Sequence, residues 1–192
     1  SCLVFCNTKQ QCAQLATALQ ARDLHVRSLH GDLEQSERDQ VLARFAGKSL
    51  SILIATDVAA RGLDVKALDA VINFELSPDP EVHIHRIGRT ARAGASGIAV
   101  SLFTAAEQRR VRAIEDYQGS SATRLDVNTL AVPPGFKHYP PMVTLAVNGG
   151  RKNKIRPGDL LGALTAHGDI SGAQIGKITL LDTVAYVAVA QA

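Results

Sequence analysis

The chain has 192 residues, 46% of them hydrophobic and 20% charged, and 21 Lys and Arg against 18 Asp and Glu leave a formal net charge of +3. That length holds one ordinary core and a second small one. The near-balanced charge excludes a protein that coats nucleic acid indiscriminately, so any anion site is local.

No apolar run approaches the roughly 18 residues of a membrane helix, and no basic-then-apolar leader opens the sequence. The expected location is cytoplasmic. Ser1 runs straight into "CLVFC" and the last residues follow a strand-like run, so both ends read as cut. Cys2, Cys6 and Cys12 are an odd set without a CxxC pair, which reads as core thiols in a reducing compartment.

Short apolar runs alternate with helix-period segments: "CLVF", a helix over 8–21, "HVRSLH", a helix over 35–45, "SILIAT", a short helical piece, and "AVINF". A helix over 81–92, a strand over 97–103 and a helix over 105–117 follow. This alternation predicts an α/β domain, a doubly wound parallel sheet of about five strands covered on both faces. Thr8 with Gln11 forms a capping box, and Gly47 sits where a helix ends. Periodicity lapses over 119–140, a linker. It restarts with "MVTLAV", the basic loop "NGGRKNKIRPGD", a helix over 159–167 and strands over 173–180 and 183–189. That β-α-β-β order is two elements short of a ferredoxin-like or RRM-like α+β module. The expected domains are therefore 1–118 and 141–192, the second truncated.

Ligands of a doubly wound sheet bind beyond the carboxyl ends of its strands. The loops there are "LHGDLEQSERDQVLARF", "ATDVAARGLD" and "HRIGRTARAG". In the last, Arg86, Arg89 and Arg92 are spaced i, i+3, i+6, which on a helix puts them along one side. Gln35 and Arg38 stand at a helix start, where backbone N–H groups and a guanidinium both meet a phosphate. Thr56 offers a hydroxyl, and Gly31 and Gly62 permit close backbone approach, so any nucleic-acid contact here is expected to read backbone rather than base edges. His83 and His85, two apart, do not share a helix face, and no metal site is expected.

"LVFCNT", "HGDLEQSERDQVLARF", "ATDVAARGLDV" and "HRIGRTARAG" together resemble motif IV, the QxxR element, motif V and motif VI of the second RecA-like domain of DEAD-box RNA helicases, over residues 1 to about 118. The resemblance implies that Arg89 and Arg92 are arginine fingers on ATP, that His85 and Arg86 couple to the first RecA-like domain of the same protein, and that Asp64 binds the ATP ribose. A finger of this kind is worth about 10³ to 10⁵ in rate. Ala91 stands where the family motif has its second glycine; one methyl near a helix end is expected to be tolerated. The sequence has neither a G-x-x-x-x-G-K-[ST] loop nor a DEAD quartet, which the family carries on its first RecA-like domain. ATP and Mg²⁺ are thus expected to be held mainly there, and this chain alone to be inactive.

"VNGGRKNKIRPGDLLGALT" and "GAQIGKITLLDTVAYVAV" resemble the RRM-like domain of the DbpA-like branch of the family. That resemblance implies a monomeric helicase that remodels large-subunit ribosomal RNA during ribosome assembly, with this module gripping a specific hairpin. Tyr186 is the only aromatic in the strands that would stack bases, so Arg151, Lys152, Lys154 and Arg156, with the start of the following helix, are the expected RNA edge. Two other readings stay open: a non-catalytic RNA-binding module, and the second lobe of a DNA translocase. HRIGRTAR in place of Q-x-x-G-R-x-x-R argues against the translocase.

Overall fold

The structure, a computed structural model, describes residues 1–61, 68–91, 96–166 and 168–191. They form two compact units, Ser1–Gly31 with Ile52–His138 and Asp32–Ser51 with Tyr139–Ala192.

The first unit is built on strands β1 (Cys2–Phe5), β2 (Val26–Leu29), β3 (Ile52–Ala55), β4 (Ala70–Asn73) and β5 (Ile98–Ser101). They pair in parallel in the order β2-β3-β1-β4-β5. The sheet is the doubly wound α/β type expected, because uninterrupted apolar runs such as "CLVF" and "ILIA" suit strands covered on both faces. The chain's helices are α1 (Lys9–Gln20), α2 (Gln35–Ala46), α3 (Asp57–Ala60), α4 (Pro80–Ile87), α5 (Gln108–Gln118) and α6 (Pro157–Thr165). α1 starts where Thr8 Oγ1 accepts from the Gln11 backbone N–H at 3.2 Å. Its buried Cys12 and Ala16 join Val4, Cys6, Val26 and Ile54 in one core cluster. All three cysteines are free thiols, Cys6 and Cys12 fully buried, and burial pushes the Cys2 thiol up to about 11.

The expected helix over 81–92 is shorter. Asp79 caps its start by accepting from the Glu81 N–H at 2.9 Å, with Pro80 in the first turn. It ends at Ile87, where Gly88 donates to the Ile84 carbonyl and Arg89 and Thr90 donate to carbonyls only three residues back. The Thr90 hydroxyl then donates to the Leu68 carbonyl, and the two residues form a parallel β-bridge. A bond outside the helix wins over another helical turn. A Cβ on Gly97 would sit 1.9 Å from Thr90 Oγ1, so only glycine lets the chain pass this bridge into β5.

α5 stops at Gly119, whose φ of 70° is the left-handed cap that glycine supplies. The stretch after it is irregular apart from a 3-10 turn at Val127–Thr129, and it is tied down. Glu115 on α5 accepts from the Ala122 N–H at 3.1 Å and from Arg124 Nη2 at 3.0 Å. Leu125, Val127 and Leu130 line a groove of about 430 Å³ together with Ile87, Ile98, Val111 and Ile114.

In the second unit, β6 (Met142–Val147), β7 (Ile175–Leu180) and β8 (Ala185–Ala190) form an antiparallel sheet in the order β6-β8-β7. β8 lies between the strands joined through α6, a split β-α-β arrangement. Leu160 of α6 packs on Ala185, Val187 and Val189, with Leu164, Ile175 and Ile178 around them. The unit also includes α2, and Ser49 beyond it shares a hydroxyl hydrogen bond with Thr144 of β6.

Candidate functional site

The carboxyl ends of β3, β1 and β4, neighbours in the sheet, carry Asp57, Asn7 and the pair Asn73 and Glu75. Arg86 of α4 is buried among them at 1% exposure. Its Nε and Nη2 donate to the two carboxylate oxygens of Asp57, each at 2.7 Å. Nη2 also donates to Asn7 Oδ1 at 2.9 Å, and Nη1 to the Glu75 carbonyl at 2.8 Å and Asn73 Oδ1 at 3.4 Å. Five hydrogen bonds match the five N–H donors of a guanidinium, and the group also lies 5.1 Å from the centre of the Phe5 ring. Asn7 is held in turn, its backbone N–H on the Glu75 carboxylate at 2.8 Å and its Nδ2 on the Leu76 carbonyl at 3.1 Å. A charge out of water is tolerable only when paired and hydrogen-bonded in this way.

Beside this network lies a cavity of about 250 Å³, lined by Phe5, Asp57, Ala60, Arg61, Val82, His85, Arg86 and Arg89. The structure thus brings His85, Arg86 and Arg89 together, but not as three arginines along one side of a helix. Only Arg86 is on α4; Arg89 lies in the turn beyond its end and lines the cavity with part of its surface exposed. Arg92, Asp64 and Gly62 lie outside the described residues. Ala91 is not near a helix end as expected: it stands four residues past α4 with φ 53°, in the left-handed region. His83, one turn before Arg86, is buried with Nδ1 lacking a partner. Burial and then the nearby Arg86 charge push its pKa down.

Of the residues read as RNA-facing, Gly31 is exposed, and a Cβ there would meet open space. Thr56 caps α3, its Oγ1 accepting from the Ala59 N–H at 3.4 Å, and its neighbour in sequence is Asp57. In the second unit, Gln35 opens α2 with its Nε2 donating to Asp39 at 2.7 Å. The Arg38 N–H donates to the Glu34 carbonyl, and the Glu34 N–H donates to the Glu37 carboxylate at 3.1 Å. The Glu37 carboxylate therefore already occupies the positive start of α2.

Arg151, Lys152, Lys154 and Arg156 are all exposed. Arg151 anchors the loop, its Nε and Nη2 donating to the Leu180 carbonyl at 3.1 and 2.7 Å, while Lys152 Nζ lies 3.7 Å from Asp182. A Cβ on Gly150 would fall 2.3 Å from the Leu181 carbonyl oxygen, so the loop needs glycine to lie this close to β7's end. The start of α6 differs from expectation. Asp159 accepts from the Arg156 N–H at 2.8 Å and puts a carboxylate in the first turn, which leaves the side chains of the loop, not the helix end, as the cationic feature. Tyr186 is 8% exposed and offers no open ring for stacking. Sequence reading missed Asn7, Asp57, Asn73 and Glu75; the one signal for them was their position at or just past the carboxyl ends of strands.

Residues 1–94 match the family "Helicase conserved C-terminal domain" and residues 144–192 the "DbpA RNA binding domain". The chain is 51% identical over its whole length to the ATP-dependent RNA helicase DbpA of Escherichia coli, and 33% identical over 97% of its length to that of Bacillus subtilis. It spans 42% and 43% of those two proteins. Among solved structures, a DEAD box protein from Methanococcus jannaschii matches with a TM-score of 0.59 and 44% identity, covering 62% of this chain and 33% of that one. The E. coli DEAD-box protein SrmB, bound to regulator of ribonuclease activity A, matches at 0.63 and 29%, covering 69% and 80%. With a RecA-like unit first and a DbpA-type RNA-binding domain after it, the chain belongs to the DbpA-like DEAD-box RNA helicases.

Proposed function

We propose that this chain is the second RecA-like lobe and part of the RNA-binding module of a cytoplasmic, monomeric, ATP-dependent RNA helicase that remodels large-subunit ribosomal RNA during ribosome assembly. The observation that carries this reading is the division of labour between two arginines. Arg86 has spent its donors inside the lobe, whereas Arg89, three residues on, lines the cavity with His85 and Arg61. A cationic lining at the carboxyl end of a RecA-like sheet suits the polyphosphate of ATP. Arg89 acts as a finger on the charge that develops as the γ-phosphate leaves, and Arg92 and Asp64 are assigned to ATP on the motif alone. Among the described residues no cluster of three or more His, Cys, Asp or Glu gathers; Mg²⁺, which would offset phosphate charge when bound, is assigned to the first RecA-like lobe. His85, exposed on α4, faces that lobe. Gly31 and Thr56, and separately Gln35 and Arg38, meet RNA backbone, and the loop 151–156 grips a ribosomal RNA hairpin.

The test is Arg89→Ala in the full-length protein. RNA-stimulated ATP turnover is expected to fall at least about a hundredfold with RNA affinity in the absence of nucleotide within about twofold of the unaltered protein, because a finger acts on transition-state charge. Turnover within a few fold would remove Arg89 from the reaction.

A further inference from the structure

The two edge strands of the parallel sheet, β2 and β5, differ in how they meet solvent. β2 carries the exposed Arg27, and a charge on an edge strand deters another strand from pairing with it. β5 has no such guard: from Ser96 to Ala106 the sequence holds neither a charged residue nor a proline. Ile98 and Leu102 turn their N–H groups toward β4, donating to the Asp69 and Asn73 carbonyls at 3.0 and 2.9 Å. The alternate residues Ala99 and Ser101 therefore turn their backbone groups outward. The side chains are open too. Ile98 is 64% and Val100 42% exposed, and both line the apolar groove of about 430 Å³ whose other walls are α5 and the stretch after it. A free strand edge beside an apolar groove offers an extended peptide main-chain hydrogen bonds for affinity and places for alternate side chains. The groove also has a sign. Arg124 and Glu115, both in its lining, pair at 3.0 Å, but the carboxylate is 14% exposed and the guanidinium 49%. Among the described residues Arg124 donates only to Glu115 and Gln108, which leaves most of its five N–H groups for an incoming acceptor.

We propose that the edge of β5 and this groove form a docking site for an extended segment of another protein. That segment alternates apolar residues, carries no charge where it lies along Ile98 and Val100, and brings a carboxylate to Arg124. A second copy of this chain fits less well, because the strand it would offer, β5 itself, contains no carboxylate. The inference is independent of the proposed function: none of the groove's residues lines the cavity beside Arg86.

Random peptides of about ten residues, the upper end of ordinary strand length, are displayed on phage and selected on the full-length protein. Peptides that alternate apolar residues and contain Asp or Glu are expected to be enriched. A synthetic peptide of the selected sequence should slow amide hydrogen exchange at Ala99 and Ser101. Ile98→Lys, which gives β5 a guard like that of β2, should weaken its binding at least about tenfold. If Ile98→Lys disturbs the fold, Arg124→Gln carries the test: it should weaken the peptide about fivefold and remove most of the salt dependence of binding. No enrichment over an unrelated protein, enriched peptides without the alternation, equal binding by a folded Ile98→Lys, or protection confined to other residues each overturns the proposal. So does a concentration-dependent dimer that Ile98→Lys dissolves, since the partner would then be a second copy.

Discussion

At φ 53°, the β-carbon of Ala91 crowds its own backbone in a conformation that disfavours any L side chain by about 1–2 kcal/mol and that glycine adopts freely. Ala91→Gly is therefore expected to raise stability by about 0.5–1 kcal/mol, seen as a higher thermal midpoint. Asp57→Ala should cost about 3 kcal/mol, because it leaves the Arg86 charge buried without its main partner. His83 gives a pH signature. Its folded pKa lies below the ordinary 6.5, so the unfolded chain takes up a proton first as pH falls. Stability should thus decline as pH drops below about 6.5 and be insensitive to His83 above it, a dependence that His83→Leu removes from the denaturation curve. The regular spacing of Arg86, Arg89 and Arg92 was legible in the sequence, but the role of Arg86 was not. Its acceptors come from Asn7, Asp57, Asn73 and Glu75, and only the folded sheet brings those positions together.

Elements were legible wherever burial dictated them. The strands "CLVF", "ILIA" and "AVIN" stand out because both of their faces are covered, and α1 is announced by Thr8 as its cap. α4 was read five residues too long because "HRIGRTAR" keeps a helical spacing, while the bond from the Thr90 hydroxyl to Leu68 that competes with the helix depends on a residue 22 positions away. The stretch after α5 reads as a plain linker since its apolar residues have no period; its attachment depends on Glu115. Glu115→Ala is expected to speed amide hydrogen exchange over 122–130, as the backbone bond from Ala122 and the hold on Arg124 are both lost. In the basic loop, the double substitution Lys152→Glu and Lys154→Glu should weaken binding of a ribosomal RNA hairpin steeply and flatten its salt dependence, with little effect on ATP use driven by unspecific RNA. Unchanged hairpin affinity would place the RNA on another face of the module.

The whole chain combines a RecA-like lobe that carries a cavity lined by Arg61, His85 and Arg89 with a module that has a basic loop, and it spans 42% of the E. coli relative that it resembles along its full length. Fold class was readable at this scale because strand and helix periods alternate first and then give way to β-α-β-β. The family was readable because four motifs keep their order, although each alone is no more than small residues beside charges. The sequence has no phosphate-cradling loop, and under the proposed function the chain supplies cationic groups to an ATP site whose other wall is the first RecA-like lobe. The direct test is steady-state ATP hydrolysis, with saturating RNA, by this chain alone and by the same chain joined to the first lobe in one polypeptide. No turnover above background is expected for the chain alone and RNA-dependent turnover for the joined protein; equal turnover by the two would contradict the proposed function.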